Sequence, residues 1–172
     1  MKKQLSCIVS LFLAIVLQAQ MSRTVTVATA GTLCSTLTKV EKDSITSITV
    51  LGTIDARDFK TMRDSMPLLS VVDLRDVTID AYNVAQNTGA YAQTIPPAAL
   101  NYKQILTSVL LPKSMISIGG DAFMDCYSLN TVSFADPSLV TSIGSQAFKG
   151  CTSLTSIVLP ASITTINGSV FN

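Results

Sequence analysis

Apolar residues recur at a fixed spacing through the carboxy-terminal third of the chain. Each unit opens with apolar residues at its first, fourth and sixth positions, as in Leu106, Val109 and Leu111. The opening leucines lie 23 residues apart between Leu106 and Leu129, and 25 residues apart between Leu129 and Leu154. A fixed period of about 20–50 residues is typical of proteins built from stacked repeats. The pattern therefore predicts a solenoid, in preference to a sandwich of unrelated β-hairpins.

Each unit is expected to contain two short extended segments joined by turns. In the first segment, period-two alternation points Val109 and Leu111 inward and Leu110 outward. Pro112 follows directly and ends the strand, because proline offers no donor to a sheet ladder. A second segment, residues 115–119, ends at a glycine that we expect to permit the next bend.

An alanine–phenylalanine pair follows the second segment of two units, at residues 122–123 and 147–148. One repeat cannot bury its own apolar face, so neighbouring coils must cover it. Phe123 and Phe148 are therefore expected to stack in one dry column. The two extra residues of the second unit fall around residues 136–138, which have the composition of a turn. We expect this insertion to bulge at a corner without shifting the ladder.

The first 20 residues have the pattern of a secretory signal peptide. Lys2 and Lys3 give a short basic start, residues 5–17 are almost entirely apolar, and small residues follow near Gln20. The apolar run is too short for a comfortable membrane span. Cleavage near residue 20 leaves 10 basic and 11 acidic residues, so no charged footprint for nucleic acid or an anionic membrane remains. We therefore expect a secreted chain with no transmembrane span after signal removal.

Residues 21–44 are predicted to form an amino-terminal cap, because a solenoid needs a lid over its first coil. The segment 23–27 alternates β-branched residues, as a strand does. It is followed by one predicted amphipathic helix with a threonine cap, which turns Leu33, Leu37 and Val40 inward.

Residues 45–105 are predicted to be degenerate repeats, interrupted by an insertion loop at residues 80–93. Before the loop, Phe59, Met62 and Met66 are spaced three and four apart, as on one face of a helix. The charged residues of the same segment are expected on its solvated outer face and not in a catalytic pair. These are Asp55, Arg57, Asp58, Arg63 and Asp64.

The outward positions of the predicted strands form a candidate binding ribbon. They carry hydroxyls and small apolar groups without lysine or arginine, which suits a protein or a glycan better than a phosphate ligand. The regular repeats contribute Ser108, Leu110, Thr131, Ser133, Ser156 and Val158, and the degenerate repeats contribute Ser47, Thr49, Val71 and Asp73. Tyr82 and Tyr91 are second candidate contacts, because long insertion loops often carry function.

Few residues in the chain suit catalysis or metal binding. The chain has no histidine and no Cys-x-x-Cys pair, so we expect no zinc site, no histidine base, no cofactor and no enzyme activity. Cys126 and Cys151 hold the same place in consecutive repeats, where the distance would permit a disulfide. Free, buried thiols are the favoured alternative, because cysteine often behaves as a small buried hydrophobe.

The repeat itself resembles a known family. The pattern Leu-x-x-Val-x-Leu-Pro-x-Ser-x-x-x-Ile-Gly-x-x-Ala-Phe-x-x-Cys, which runs from Leu106 to Cys126, is similar to the BspA-type (Treponema pallidum-type) leucine-rich repeat of bacterial surface proteins, as in Bacteroidetes-like bacteria. The resemblance is close over residues 106–171 and looser over residues 45–105. It implies an α/β solenoid with short parallel strands on one face, short helices or 3-10 turns elsewhere, and an N-terminal helical cap.

The resemblance also implies a function. It suggests a secreted or cell-surface, adhesin-like protein that binds a protein or glycan, with host extracellular matrix among the partners. A structural spacer or ancillary domain of a larger surface protein is the alternative. The regular repeats of residues 106–172 stop where another cysteine and strand are expected, so we expect further repeats or domains to follow.

Overall fold

The computed structural model describes residues 20–82 and 92–172. Residues 1–19 of the predicted signal peptide and residues 83–91 of the predicted insertion loop, Tyr91 included, lie outside the described residues. The strands are β1 Ser22–Val27, β2 Ser47–Ile54, β3 Val71–Asp73, β4 Val77–Ile79, β5 Thr94–Ile95, β6 Ser108–Leu110, β7 Ser117–Ile118, β8 Thr131–Ser133, β9 Ser142–Ile143 and β10 Thr165–Ile166. The helices are α1 Leu33–Thr36, α2 Lys39–Ser44 and α3 Ala56–Asp64.

Two parallel sheets follow from the two extended segments of each repeat. The first has the order β1-β2-β3-β6-β8 with β4 beside β2, and the second has the order β10-β9-β7-β5. Inward residues of successive repeats lie side by side, so that Ile48, Val72, Val109 and Val132 form one row. Ile95, Ile118, Ile143 and Ile166 form the matching row of the second sheet. The short parallel strands predicted for the repeats are therefore confirmed.

A column of aromatic rings runs between the sheets. Phe123 stacks on Phe148 with ring centroids 5.2 Å apart and planes 1° from parallel. Phe148 stacks in turn on Phe171 at 5.8 Å and 7°. The rings of Phe123 and Phe148 are buried, and the N–H of Leu100 donates to the Ala122 carbonyl (2.8 Å) just as that of Phe123 donates to Ala147 (2.8 Å). The predicted stacking of these phenylalanines is confirmed, with Leu100 in the equivalent slot of the preceding repeat.

Gly119 and Gly144 are required for close contact between coils, and their predicted role in a bend is wrong. A Cβ atom on Gly144 would lie 2.5 Å from the nitrogen of Gly120, and one on Gly119 would lie 2.6 Å from that of Pro97. Left-handed backbone conformations occur instead at side-chain-bearing residues, including the four that directly precede Ala99, Ala122, Ala147 and Val170. These four are Ala98, Asp121, Gln146 and Ser169, with φ between 54 and 59°.

The amino-terminal segment contains two short helices where one was predicted. Leu37 adopts an extended conformation and interrupts the helix. A capping box then starts α2, since the Glu41 N–H donates to the Thr38 hydroxyl (3.2 Å) and the Thr38 N–H donates to the Glu41 carboxylate (2.9 Å). Leu33 and Leu37 are buried as predicted, but Val40 is 75% exposed because it belongs to the second helix.

Two of the charges expected on the outer face of α3 are buried. Asp58 accepts hydrogen bonds from the N–H groups of Gly31 (2.6 Å), Leu33 (2.9 Å) and Asp55 (2.9 Å). Asp55 is also buried, caps the helix, and pairs with Arg57 at 2.6 Å. The apolar face was predicted correctly, because Phe59, Met62 and Met66 are all buried. The outer-face prediction failed for the two aspartates because a carboxylate can satisfy several backbone donors at once.

Candidate binding surface

The outward residues of β2, β3, β6 and β8 lie on one face of the first sheet, in register. Ser47, Val71, Ser108 and Thr131 form one row, and Thr49, Asp73, Leu110 and Ser133 form the next. Thr131 is exposed and the others are half-buried. The structure thus brings together eight of the ten residues predicted for the ribbon.

Ser156 and Val158 do not continue the ribbon as a strand. Residues 154–160 contain no strand, and the described residues show no ladder hydrogen bond between this segment and β8. Val158 is 87% exposed, while Leu154, Ile157 and Leu159 are only partly buried against the core. The prediction of a regular third strand is therefore wrong. The expectation that the insertion leaves the ladder intact holds for β9 and β10, which still pair, but fails here.

A groove of about 730 Å³ lies where this strand would pair. Its lining is mainly apolar and hydroxyl-bearing, and Asp136 is its one charged residue among the described residues. The groove is lined by Asn130, Thr131, Val132, Ser133, Phe134, Ala135, Asp136, Pro137, Ser138, Ser156, Ile157, Val158, Pro160, Ala161 and Ser162. The lining includes the inserted residues 136–138 and four of the predicted ribbon residues.

The acidic side of the ribbon is neutralised by its neighbours. Asp73 pairs with Arg75 at 2.7 Å, and that hydrogen bond lowers the pKa of the Asp73 carboxyl. Asp76 pairs with Lys113 at 2.6 Å beside it. The ribbon is therefore close to neutral at physiological pH. A neutral surface suits a ligand that is recognised by its shape and by hydrogen bonds to hydroxyl groups.

Tyr82 packs against a basic side of α3 that the sequence interpretation missed. The Arg57 guanidinium lies 4.6 Å from the centre of the Tyr82 ring, a cation–π geometry. Arg57, Lys60 and Arg63 line a small cavity of about 310 Å³ with Tyr82 and Pro97. Their three-residue spacing along one helix face was the available signal. Arg57 pairs with Asp55, whereas Lys60 and Arg63 share Asp64, so these ion pairs leave one positive charge in excess.

The cysteines of the repeats are free, which decides between the two alternatives left open by the sequence. The Cys126 thiol donates to the Leu100 carbonyl (3.1 Å), and the Cys151 thiol donates to the Phe123 carbonyl (3.1 Å). Burial raises the pKa of the Cys126 thiol to about 12 and that of Cys151 to about 11. Both thiols therefore stay protonated at neutral pH and are poor nucleophiles.

Lys103 occupies the same slot one repeat earlier. Its side chain is only 6% exposed. Its ammonium donates to the backbone carbonyl of Met66, just as each thiol donates to a backbone carbonyl earlier in the chain. Burial lowers the pKa of Lys103 to about 8, against a smaller opposing effect of the Cys126 and Asp64 charges. The charged ammonium of Lys103 opposes folding until it is deprotonated, because burial removes its solvation and so disfavours the charged form.

We expect Lys103 to make the protein more stable as the pH rises from about 8 towards 10.5. Its folded pKa of about 8 lies below the unfolded value of 10.5, so the cost of burying the ammonium is complete below pH 8 and disappears towards pH 10.5. Urea titrations give the free energy of unfolding of the parent and of Lys103→Met at each pH. Over this range, the difference between the two free energies should shift in favour of the parent by on the order of 1–3 kcal/mol. Ionisation of Cys151 affects both proteins alike, and the folded Cys126 thiol stays protonated over this range because its pKa is about 12. A difference independent of pH would contradict the burial of a titrating amine.

Within the described part of the chain, no helix has the length and apolarity needed to cross a membrane. The same residues hold no group of three or more histidine, cysteine, aspartate or glutamate side chains placed to share a metal ion. Residues 92–172 match the family described as the BspA type Leucine rich repeat region (6 copies). No curated protein matches the chain. Residues 92–172, which include the regular repeats, are therefore similar to the BspA-type leucine-rich repeats.

Proposed function

We propose that the protein is a secreted or cell-surface, adhesin-like binding module without enzyme activity, whose ribbon contacts a protein or glycan ligand. The repeat family suggests a protein-interaction or surface domain. The observation that carries the proposal is the alignment of outward side chains from β2, β3, β6 and β8 on one face. Such a rigid face offers contact area at a low ordering cost. Host extracellular matrix is the partner class that we propose to test first.

The same proposal includes a solenoid closed at its amino-terminal end by residues 21–44. Two observations support this role for the segment. β1 pairs with β2 at the edge of the first sheet, and Leu33 and Leu37 are buried against the core beside it. A terminal coil that lacks such a cover exposes its apolar face.

A structural spacer within a larger surface protein is the second candidate. One observation favours it, because the ribbon lacks the tryptophan, tyrosine and arginine anchors that dominate many interfaces. Its central residues, Ser108, Leu110 and Ser133, are also half-buried, which limits the area that each can offer. A spacer would bind neither matrix proteins nor mucin.

Surface plasmon resonance against immobilised matrix proteins and mucin separates the two candidates. The ribbon variant is Ser108→Arg with Leu110→Arg, which places two long cations on β6 outside the groove. The matched control is Thr165→Arg, an exposed strand residue of the second sheet. We expect saturable binding that changes little with salt, a loss of roughly tenfold or more in the ribbon variant, and no loss in the control. Absence of binding by the parent protein, or equal binding by both variants, would reject the ribbon as a binding site.

A further inference from the structure

The groove exposes an unsatisfied edge of β8. In a parallel ladder, alternate residues direct their backbone N–H and C=O groups to opposite neighbours. The Thr131 N–H donates to the Thr107 carbonyl (3.1 Å), and the Ser133 carbonyl accepts from the Leu111 N–H (2.9 Å). Thr131 and Ser133 therefore face β6, so Val132 between them directs its N–H and C=O towards the groove. Among the described residues, neither group of Val132 has a backbone partner.

The chain's own next segment does not satisfy this edge. Residues 154–160 repeat the sequence pattern of residues 106–112, and the corresponding rung between β6 and β8 is fully paired. Here the segment makes no ladder hydrogen bond to β8 among the described residues, and Ile157 and Val132 both line the groove. An edge strand with free donors and acceptors is a template for another strand.

We propose that this groove is a docking site for an extended peptide segment of a partner protein, which adds to β8 as a further parallel strand. The proposal rests on the binding function proposed above and names the chemical class of its ligand. Main-chain hydrogen bonds supply affinity when a peptide extends a sheet, and pockets for alternate side chains supply specificity. A glycan has no regular row of amide donors and carbonyl acceptors to match such an edge.

The lining of the groove restricts the occupant further. Val132, Phe134 and Ile157 suit alternate apolar side chains on the inner side of the added strand. Asp136 is the one charged residue of the described lining, so charge complementarity favours a neutral or basic peptide over an acidic one. β6 is a strand of this chain that already lies between two others. Residues 106–112, which contain β6, are therefore a template for a test peptide.

The probe is a fluorescent synthetic peptide that carries residues 106–112 of this chain with a lysine at each end. Fluorescence anisotropy with the full chain should give saturable binding with one peptide for each protein molecule. Val132→Pro removes the N–H that faces the groove, and Val132→Ala is the matched control that keeps it. We expect Val132→Pro to weaken binding roughly tenfold relative to Val132→Ala, the effect of one lost hydrogen bond.

A change on the peptide side tests the same contact if Val132→Pro does not fold. Thr131 and Ser133 face β6 through their backbones, so in an added strand the position equivalent to Leu110 would face β8. N-methylation at that position removes the donor, and we expect it to weaken binding roughly tenfold. No saturable binding at about 1 mM peptide would overturn the proposal, as would equal affinities for the methylated and unmethylated peptides. Displacement of the peptide by a neutral oligosaccharide would assign the groove to a glycan and would also overturn it.

Rejection of peptide docking in the groove and rejection of ligand binding by the ribbon would rest on different results. If the Ser108 and Leu110 arginine variant loses matrix binding but the peptide does not bind, the ribbon function stands and the docking of a strand is rejected. If the peptide binds and the ribbon variant captures matrix normally, the groove is a peptide site and the ribbon is rejected.

Discussion

Phe148→Ala is expected to lower the free energy of unfolding by about 3–5 kcal/mol, the range for the loss of a fully buried phenylalanine. The Phe148 ring is 1% exposed and stacks on Phe123 on one side and on Phe171 on the other. Its removal creates a cavity and also breaks two ring contacts, each of which contributes beyond the buried area. Because each repeat contacts only its neighbours, a defect in the middle of the column weakens the stacking on both sides.

Phe171→Ala is the matched control for this measurement. Its ring is 49% exposed and makes one of the two stacking contacts of Phe148, so we expect a cost of about 1–2 kcal/mol. Urea unfolding followed by circular dichroism gives both values. Equal costs for the two variants would contradict a continuous aromatic column centred on Phe148.

Asp58→Ala is expected to cost about 3 kcal/mol or more, because it leaves three buried or half-buried N–H groups without their acceptor. The carboxylate receives the N–H groups of Gly31, Leu33 and Asp55, and so joins the loop before α1 to the first turn of α3. The effect should be concentrated in this contact. Hydrogen exchange at Gly31 and Leu33 is therefore expected to accelerate along with the loss of stability.

Two comparisons define the Asp58 result. Asp58→Asn keeps one carbonyl oxygen as an acceptor and should cost less than Asp58→Ala. Asp43→Ala removes a half-exposed carboxylate that pairs with Lys39 on the surface, and should cost less than about 0.5 kcal/mol. Asp58→Ala with a cost near that of Asp43→Ala would show that the buried carboxylate does not hold the amino-terminal segment in place.

The sequence was sufficient for the features that depend on the repeat period. Leu106, Val109 and Leu111 recur at fixed offsets, so their burial and the parallel pairing of β6 with β8 could be predicted from spacing alone. The same holds for Phe123 and Phe148, because equivalent positions in stacked coils must lie side by side. A fixed period places the same residue types at equivalent positions in each repeat, so each repeat supports the same prediction.

Features that depend on one contact between distant residues could not be read from the period. Asp58 has the local signal of a surface helix residue, and its burial depends on Gly31, 27 residues away in the chain. Gly144 resembles a bend glycine, but the reason for it is the neighbouring coil at Gly120. Lys103 breaks the cysteine pattern of its slot, and only the structure reveals that its ammonium reaches the Met66 carbonyl.

The candidate site shows the same division. Eight of the ten outward positions followed from strand alternation, and the structure places them on one face. Ser156 and Val158 satisfy the same pattern but lie beside the groove, because alternation predicts which way a side chain points and not whether the backbone is paired. The groove is lined partly by residues 136–138, whose sequence predicted a turn but not the space that it borders.

The thiols of Cys126 and Cys151 each bond to a carbonyl of the preceding coil, and neither bonds to the other. The contact between successive turns therefore requires no oxidant and releases no electrons when it forms. A newly made chain can close these turns in a reducing compartment as readily as in an oxidising one.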